Sequence, residues 1–129
     1  MAIKIEEFFH YAPEIIWAIV GDPGRVDWVA GVASAEFDGE VRRFKMVGAG
    51  ELAERIVERN EANYRLACSV VESTPPLAAH LATITLEAKD QGTRLTWTTE
   101  VTPEAVEPFI RQGMMACLAK LKTLLSSGE

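Results

Sequence analysis

Two charged side chains in this sequence stand at positions where apolar residues are expected. Arg42 and Glu54 each interrupt the inward set of an alternating strand pattern, so both are predicted to point inward with their apolar neighbours. An unpaired charge there would be very costly, whereas a guanidinium and a carboxylate meeting in fork geometry satisfy each other. The pattern therefore predicts a buried Arg42–Glu54 ion pair across a hairpin. Such a pair either closes one end of the sheet or orients a carboxylate, hydroxyl or carbonyl group of a ligand.

His80 is the only histidine predicted to face inward, and its ordinary pKa lies close enough to neutrality for proton transfer. The alternative is a buried structural histidine without a catalytic role. No aspartate or glutamate at short spacing orients His80 and no serine or cysteine partner is evident, so a catalytic triad is unsupported. His10 is predicted at the surface. The direction of Glu7 is left open, because a strand bulge would turn this carboxylate outward.

One long helical pattern supplies the element against which these side chains must be positioned. Apolar residues recur at three- and four-residue steps after Pro103, and Pro103 and Pro108 confine the helix start to about Glu107. A helix of about eighteen residues spans about 27 Å and needs an apolar partner of that length. Gly113 near its middle predicts either a close approach to the sheet or a ligand, or a tolerated surface glycine.

The rest of the chain is predicted to form strands, apart from two short helices after a first strand at residues 2–9. One short helix is predicted from Pro13 to Val20 and the other from Asp22-Pro23 through Trp28. The later strands are predicted at residues 32–38, 40–47, 50–59, 63–73, 79–88 and 92–101. Hairpin-length connections make the sheet antiparallel. The predicted fold class is therefore α+β, with a seven-stranded curved antiparallel sheet wrapped around a long C-terminal helix.

A sheet that grips one helix leaves space between them, so a hollow of about 300–1,000 Å³ is expected there. Inward-facing position and residue type give the candidate ligand-binding residues: Arg42, Glu54, Phe44, Met46, Ile56, Tyr64, Leu66, His80, Ile84, Trp97, Phe109 and Met114. Four further candidates for the lining are Ile5, Phe9, Trp17 and Leu118. The alternative is that these residues simply form the core.

Composition limits the classes of partner. The 129 residues predict one domain, and a net charge of −6 without any basic run argues against nucleic acid and anionic membranes. No membrane-spanning stretch or secretory signal is recognised, so a cytoplasmic location is expected. Cys68 and Cys117 lack metal-ligand spacing and are predicted to be free and buried, with a disulfide as the alternative. No metal or cofactor is expected, and a homodimer is left open.

Five stretches, taken in order, resemble a known family. They are APEIIWAIVGDPGRVDW (12–28), EVRRFKM (40–46), GELAERI (50–56), SVVESTPPLAAHLATITLEA (69–88) and GTRLTWTTEV (92–101). Together they resemble the polyketide cyclase/dehydrase-like branch of the START-related (SRPBCC) superfamily, whose members have the helix-grip fold. The resemblance implies a single helix-grip domain over residues 1–129. It leaves the activity open, because that superfamily includes lipid and hormone binders, cyclases and quinone-binding proteins.

Three departures from the family pattern imply a roomier cavity with different polar groups. Trp28 is followed by Val29-Ala30, where many relatives have His-Pro. Leu66 and Cys68 stand where aromatic residues are common, and His80 stands where relatives commonly carry tyrosine.

The favoured function is the binding of a small hydrophobic molecule, such as a polyketide-like aromatic, a lipid or a quinone, as a carrier or sensor. Methionine and aromatic side chains suit flat, irregular ligands. One alternative is a cyclase or dehydratase in which His80, with Arg42 and Glu54, assists proton transfer. The other is a non-catalytic module that binds a protein partner.

Overall fold

The computed structural model describes residues 2–46, 50–73 and 77–127. Its elements in chain order are β1 (Ala2–Phe9), α1 (Pro13–Val20), β2 (Val32–Phe37), β3 (Val41–Met46), β4 (Gly50–Asn60), β5 (Arg65–Glu72), β6 (Ala79–Lys89), β7 (Gly92–Thr102), a short 3₁₀ turn (Glu104–Val106) and α2 (Glu107–Ser126). The strands form one sheet in the order β1-β7-β6-β5-β4-β3-β2. Every neighbouring pair is antiparallel. The predicted α+β fold, with seven strands and one long C-terminal helix, is confirmed.

The strand bounds lie close to the predicted ones because tight turns interrupt the alternation clearly. At the β2–β3 turn, the Asp38 side chain accepts hydrogen bonds from the backbone N–H groups of Glu40 and Val41, and Gly39 has a φ of 102°. Glycine adopts this left-handed conformation without a steric penalty. Residues 47–49 and 74–76 lie outside the described residues, and they include the end of the strand predicted at 40–47 and parts of the turns predicted at 48–50 and 73–76.

Helix α2 begins at the predicted Glu107, and its buried face turns toward the sheet. That face consists of Met114, Cys117, Leu118, Leu121 and Leu125. Leu121 is fully buried, and burying such a side chain stabilises the fold by about 1.5–3 kcal/mol. No helix among the described residues has both the length and the apolar character needed to cross a bilayer.

Helix α1 fills one end of the space between the sheet and α2. Its Trp17 ring lies 5.8 Å from the ring of Tyr64, edge to face. Arg59 stacks its guanidinium 5.4 Å from the Trp17 ring centroid, and its Nε–H donates to the carbonyl of Gly21. With Ile16 and Val20 of α1 fully buried, these contacts pack the helix against this end of the core.

The predicted second short helix is wrong, because residues 22–31 form separate turns instead. The Asp22 side chain accepts a hydrogen bond from the backbone N–H of Gly24, which closes a local turn rather than starting a helix. Backbone carbonyls of this segment also bond to other elements: Pro23 accepts from Arg42, and Val29 accepts from Lys120. These bonds hold the segment against β3 and α2 in an irregular path.

Candidate functional site

A cavity of about 560 Å³ lies between the sheet and α2, at the end that α1 leaves unfilled. Its walls come from the inward faces of the central strands, the first half of α2 and the turns after α1. The described lining residues are Trp28, Val29, Ala30, Gly31, Arg42, Phe44, Met46, Glu51, Leu52, Glu54, Leu66, Cys68, Val70, Ser73, Leu77, His80, Ala82, Ile84, Trp97, Thr99, Val106, Phe109, Ile110, Gln112, Gly113, Met114 and Cys117. The predicted hollow is confirmed, and its volume is typical of small-molecule sites.

All the candidate ligand-binding residues line this cavity except Ile56 and Tyr64. Both of these pack against the hydrophobic core. The Tyr64 hydroxyl donates a 3.4 Å hydrogen bond to Glu14, which is a residue of α1. The further candidates Ile5, Phe9, Trp17 and Leu118 also belong to the core. Alternation predicts which face of a strand a residue occupies, but it does not predict which end of that face α1 covers.

Arg42 and Glu54 form the predicted ion pair on the cavity wall. They lie directly opposite each other on β3 and β4, and the Arg42 Nε–H donates to Glu54 Oε1 at 2.8 Å. Arg42 is 6% exposed, so its charge is held away from solvent. The predicted two-bond fork does not form, because Nη1 turns to the Pro23 carbonyl at 3.5 Å and Nη2 turns to Cys68 Sγ at 3.7 Å. Oε2 of Glu54 is thus not bonded to Arg42.

The surroundings of this pair keep Arg42 charged and Cys68 neutral. Burial opposes the Arg42 charge most strongly, but Glu54 and Cys68 outweigh that cost and leave the pKa of Arg42 above its ordinary value. Burial, with a contribution from the Glu54 carboxylate, raises the pKa of the Cys68 thiol to about 12. Cys68 and Cys117 are both free and buried, which rules out the alternative disulfide. A protonated Cys68 is not a reactive nucleophile at neutral pH.

His80 lies two strands from Glu54 and also lines the cavity. Its Nδ1 accepts a 3.0 Å hydrogen bond from the backbone N–H of Val70, which is the β5 neighbour of Glu54. Burial lowers the pKa of His80, and the Glu54 carboxylate opposes that shift only in part. The neutral ring therefore carries its proton on Nε2, where it can donate but not accept. We call Arg42, Glu54 and His80 the polar row.

The aromatic part of the lining includes a residue that the sequence analysis missed. Trp28 is 2% exposed, and its ring lies 5.5 Å from that of Trp97. Trp28 was predicted to lie in a short helix, and the spacing of apolar residues in that segment did not indicate which way its side chain points. In contrast, Cys68, Val70, Ala82 and Thr99 also line the cavity, and each lies an even number of residues along its strand from the inward-facing Leu66, Ile84 or Trp97. Their strand positions alone could therefore have identified them as lining residues.

The mouth of the cavity lies beside the first turns of α2. Phe109 was predicted to face inward, yet it is 70% exposed while it lines the cavity. It lies in the first turn of the helix, directly after Pro108. A Cβ at Gly113 would meet no atom within 4 Å, so the close packing considered for this glycine does not occur.

The remaining titratable candidates lie outside the site. Glu7 points toward α2, where its carboxylate pairs with Lys122 at 3.1 Å, and it does not line the cavity. His10 is exposed. No cluster of three or more histidine, cysteine or acidic side chains suited to a metal ion is found among the described residues.

Comparisons with known proteins identify relatives for nearly the whole chain. A family model described as polyketide cyclase/dehydrase and lipid transport matches residues 3–126. The structure of XoxI from Bacillus cereus superposes with a TM-score of 0.87 at 19% identity, over 95% of this chain and 94% of that one. Ara h 8.0201 gives a TM-score of 0.80 at 17% identity, over 98% of both chains.

Norcoclaurine synthase from Thalictrum flavum also superposes, with a TM-score of 0.78 at 20% identity, over 97% of this chain and 86% of that one. No curated protein sequence gives a significant match. At these identities, the structural similarities show a common fold and nothing about activity.

Proposed function

The chain belongs to the polyketide cyclase/dehydrase and lipid transport family, and from that premise we propose that it binds a small, largely apolar molecule in its cavity. In this proposal the protein acts as a carrier or sensor of that molecule. The observation that carries the proposal is the cavity of about 560 Å³, which is far larger than a single water needs. A cavity of this size favours a ligand over the alternative of a partner-binding module.

The lining supports a flat or irregular apolar ligand. Trp28 and Trp97 form an aromatic wall with their rings tilted by 57°, and Phe44 adds a third ring. Met46 and Met114 supply flexible thioethers that adapt to irregular shapes. These features fit an aromatic polyketide-like molecule, a quinone or a lipid tail, with the polar row in contact with its polar end.

The bonding of His80 favours a carrier over a cyclase or dehydratase. A general base must accept the substrate proton, but Nδ1 already accepts from Val70 and Nε2 holds the ring proton. Accepting a proton would break the bond to Val70 or would require the ring to lose its Nε2 proton first. His80 is therefore suited to donate a hydrogen bond to a ligand oxygen.

Filling the cavity tests the proposal. Ala82 lies buried on the cavity wall, so Ala82→Phe should occupy ligand space and remove a small molecule that co-purifies with the parent protein. Leu81 is its neighbour on the opposite face of β6 and does not line this cavity, so Leu81→Phe is the matched control. Native mass spectrometry should detect the bound mass in the parent and in Leu81→Phe, but not in Ala82→Phe. The same bound mass in all three proteins would contradict the proposal.

A further inference from the structure

The charges of the polar row cancel inside the cavity. The Nε–H of Arg42 bonds to Oε1 of Glu54 at 2.8 Å, and the two side chains are 7% and 15% exposed. Arg42 is the only lysine or arginine among the described lining residues. Its one positive charge is therefore already matched by a carboxylate of the protein. Within the part of the lining that the structure describes, no second cation stands beside it to neutralise an anionic ligand.

A ligand carboxylate would meet this arrangement at an energetic disadvantage. To approach Arg42 it must lie beside Glu54, and two like charges repel strongly where water is excluded. It would also lose its own hydration on entering a mainly apolar cavity. An ammonium group that approaches the Glu54 carboxylate would lie beside the positive charge of Arg42, which repels it.

The polar row nevertheless keeps hydrogen-bonding capacity for an uncharged group. Two Arg42 bonds are long, at 3.5 Å to the Pro23 carbonyl and 3.7 Å to Cys68 Sγ, so a ligand oxygen can compete for those N–H groups. His80 can donate from Nε2, and Glu54 Oε2 can accept. Cys68 is protonated and adds no charge.

We infer that the cavity selects uncharged ligands that carry an amide, phenol or ketone group on an apolar body, and that it rejects the matching carboxylates. The paired Arg42 and Glu54 offer such a group donors and acceptors together and cancel each other's charge, while Glu51 on the same lining adds a negative charge that further disfavours a carboxylate. This inference rests on the proposed function and names the ligand class of the same site.

Two naphthalene probes of nearly equal shape test it on the unaltered protein. Isothermal titration calorimetry at neutral pH should give a dissociation constant for naphthalene carboxamide at least about tenfold lower than for naphthalene carboxylate. Equal affinities, or tighter binding of the carboxylate, would overturn the inference and leave the proposed function intact. Failure of both probes to bind would contradict the proposed function, and the inference with it.

Charge variants give the reciprocal test. Glu54→Gln frees Arg42 from its carboxylate, so the affinity for naphthalene carboxylate should rise at least about tenfold over that of the parent. Arg42→Gln leaves Glu54 without its cation, so the affinity for the cationic probe naphthylmethylamine should rise over that of the parent. Glu72→Gln is the matched control, because Glu72 pairs with Arg43 at the surface and lines no part of the cavity.

Two outcomes of the charge variants would overturn the inference. One is a Glu54→Gln variant that still prefers the carboxamide to the carboxylate by the same factor as the parent. The other is a Glu72→Gln variant whose affinity for naphthalene carboxylate rises as much as that of Glu54→Gln. If neither charge variant of the cavity folds, the comparison of the two probes on the unaltered protein decides.

Discussion

At the scale of single residues, the site contains a buried charge pair in which each side chain compensates the charge of the other. Arg42 and Glu54 are cross-strand neighbours, and this register was visible in the sequence because both residues interrupt apolar faces. The detailed geometry was not visible. Whether Arg42 uses one or two N–H groups on Glu54 depends on the Pro23 carbonyl and Cys68 Sγ, which reach it from distant parts of the chain.

Replacing only Arg42 or only Glu54 should destabilise the protein more than replacing both residues together. Arg42→Met or Glu54→Leu alone leaves an uncompensated charge and should lower the free energy of unfolding by about 3 kcal/mol, whereas the double variant should lose less. Urea denaturation measures the difference.

The surface pair of Arg43 and Glu72, with side chains 54% and 66% exposed, provides the control for this cycle. The same set of variants there should change stability by less than about 1 kcal/mol. Equal losses for the single and double variants of the cavity pair would show that the pair is not buried in the way described.

The protonation of His80 should make stability depend on pH. The pKa of His80 is lowered from its ordinary 6.5 in the folded protein by burial, so the unfolded chain binds the proton more readily. Stability is therefore fully present above pH 6.5 and is lost as the pH falls below that value toward the lower folded pKa. Unfolding free energies measured across this range should show a slope that His80→Gln reduces. The control is His10→Gln at the exposed histidine, and a slope that depends on His10 instead would contradict the assignment.

At the scale of elements, the alternation of apolar and polar residues was sufficient to predict every strand, and Pro103 and Pro108 were sufficient to predict the start of α2. It was insufficient for residues 22–31, where Gly24 and bonds from Pro23 and Val29 to other elements replace helical bonds. The same limit explains Ile56 and Tyr64. Both were predicted to face inward, but they pack against the hydrophobic core rather than line the cavity, and Tyr64 does so beside Trp17 of α1.

Two glycines should respond to alanine in opposite directions because they differ in their surroundings. A Cβ at Gly21 would clash with the Trp17 ring, whereas one at Gly113 would meet nothing within 4 Å. Gly21→Ala should therefore cost about 1–3 kcal/mol through overpacking against α1. Gly113→Ala should raise helix stability by up to about 1 kcal/mol. Chemical denaturation of both variants provides the measurement, and destabilisation by Gly113→Ala would show that α2 packs more closely there than described.

At the scale of the whole molecule, the sheet and α2 are held apart at one end and packed together at the other. Helix α1 fills the packed end with Trp17, while the open end retains the cavity with Phe109 at its mouth. The pattern of one long apolar helix and seven hairpin-linked strands predicted a curved sheet wrapped around the helix, and the family resemblance implied the helix-grip fold. The extent of the cavity could not, because it depends on where α1 ends and where the turns after it lie.

The central claim is that a ligand lies inside this cavity, and intermolecular nuclear Overhauser effects test it most directly. With naphthalene carboxamide bound to methyl-labelled protein, the ring protons should show contacts to the methyl groups of Ile84 and Met114, which line the cavity. Contacts confined to exposed methyl groups such as those of Val57 and Met115, which are 50% and 55% exposed, would contradict the account.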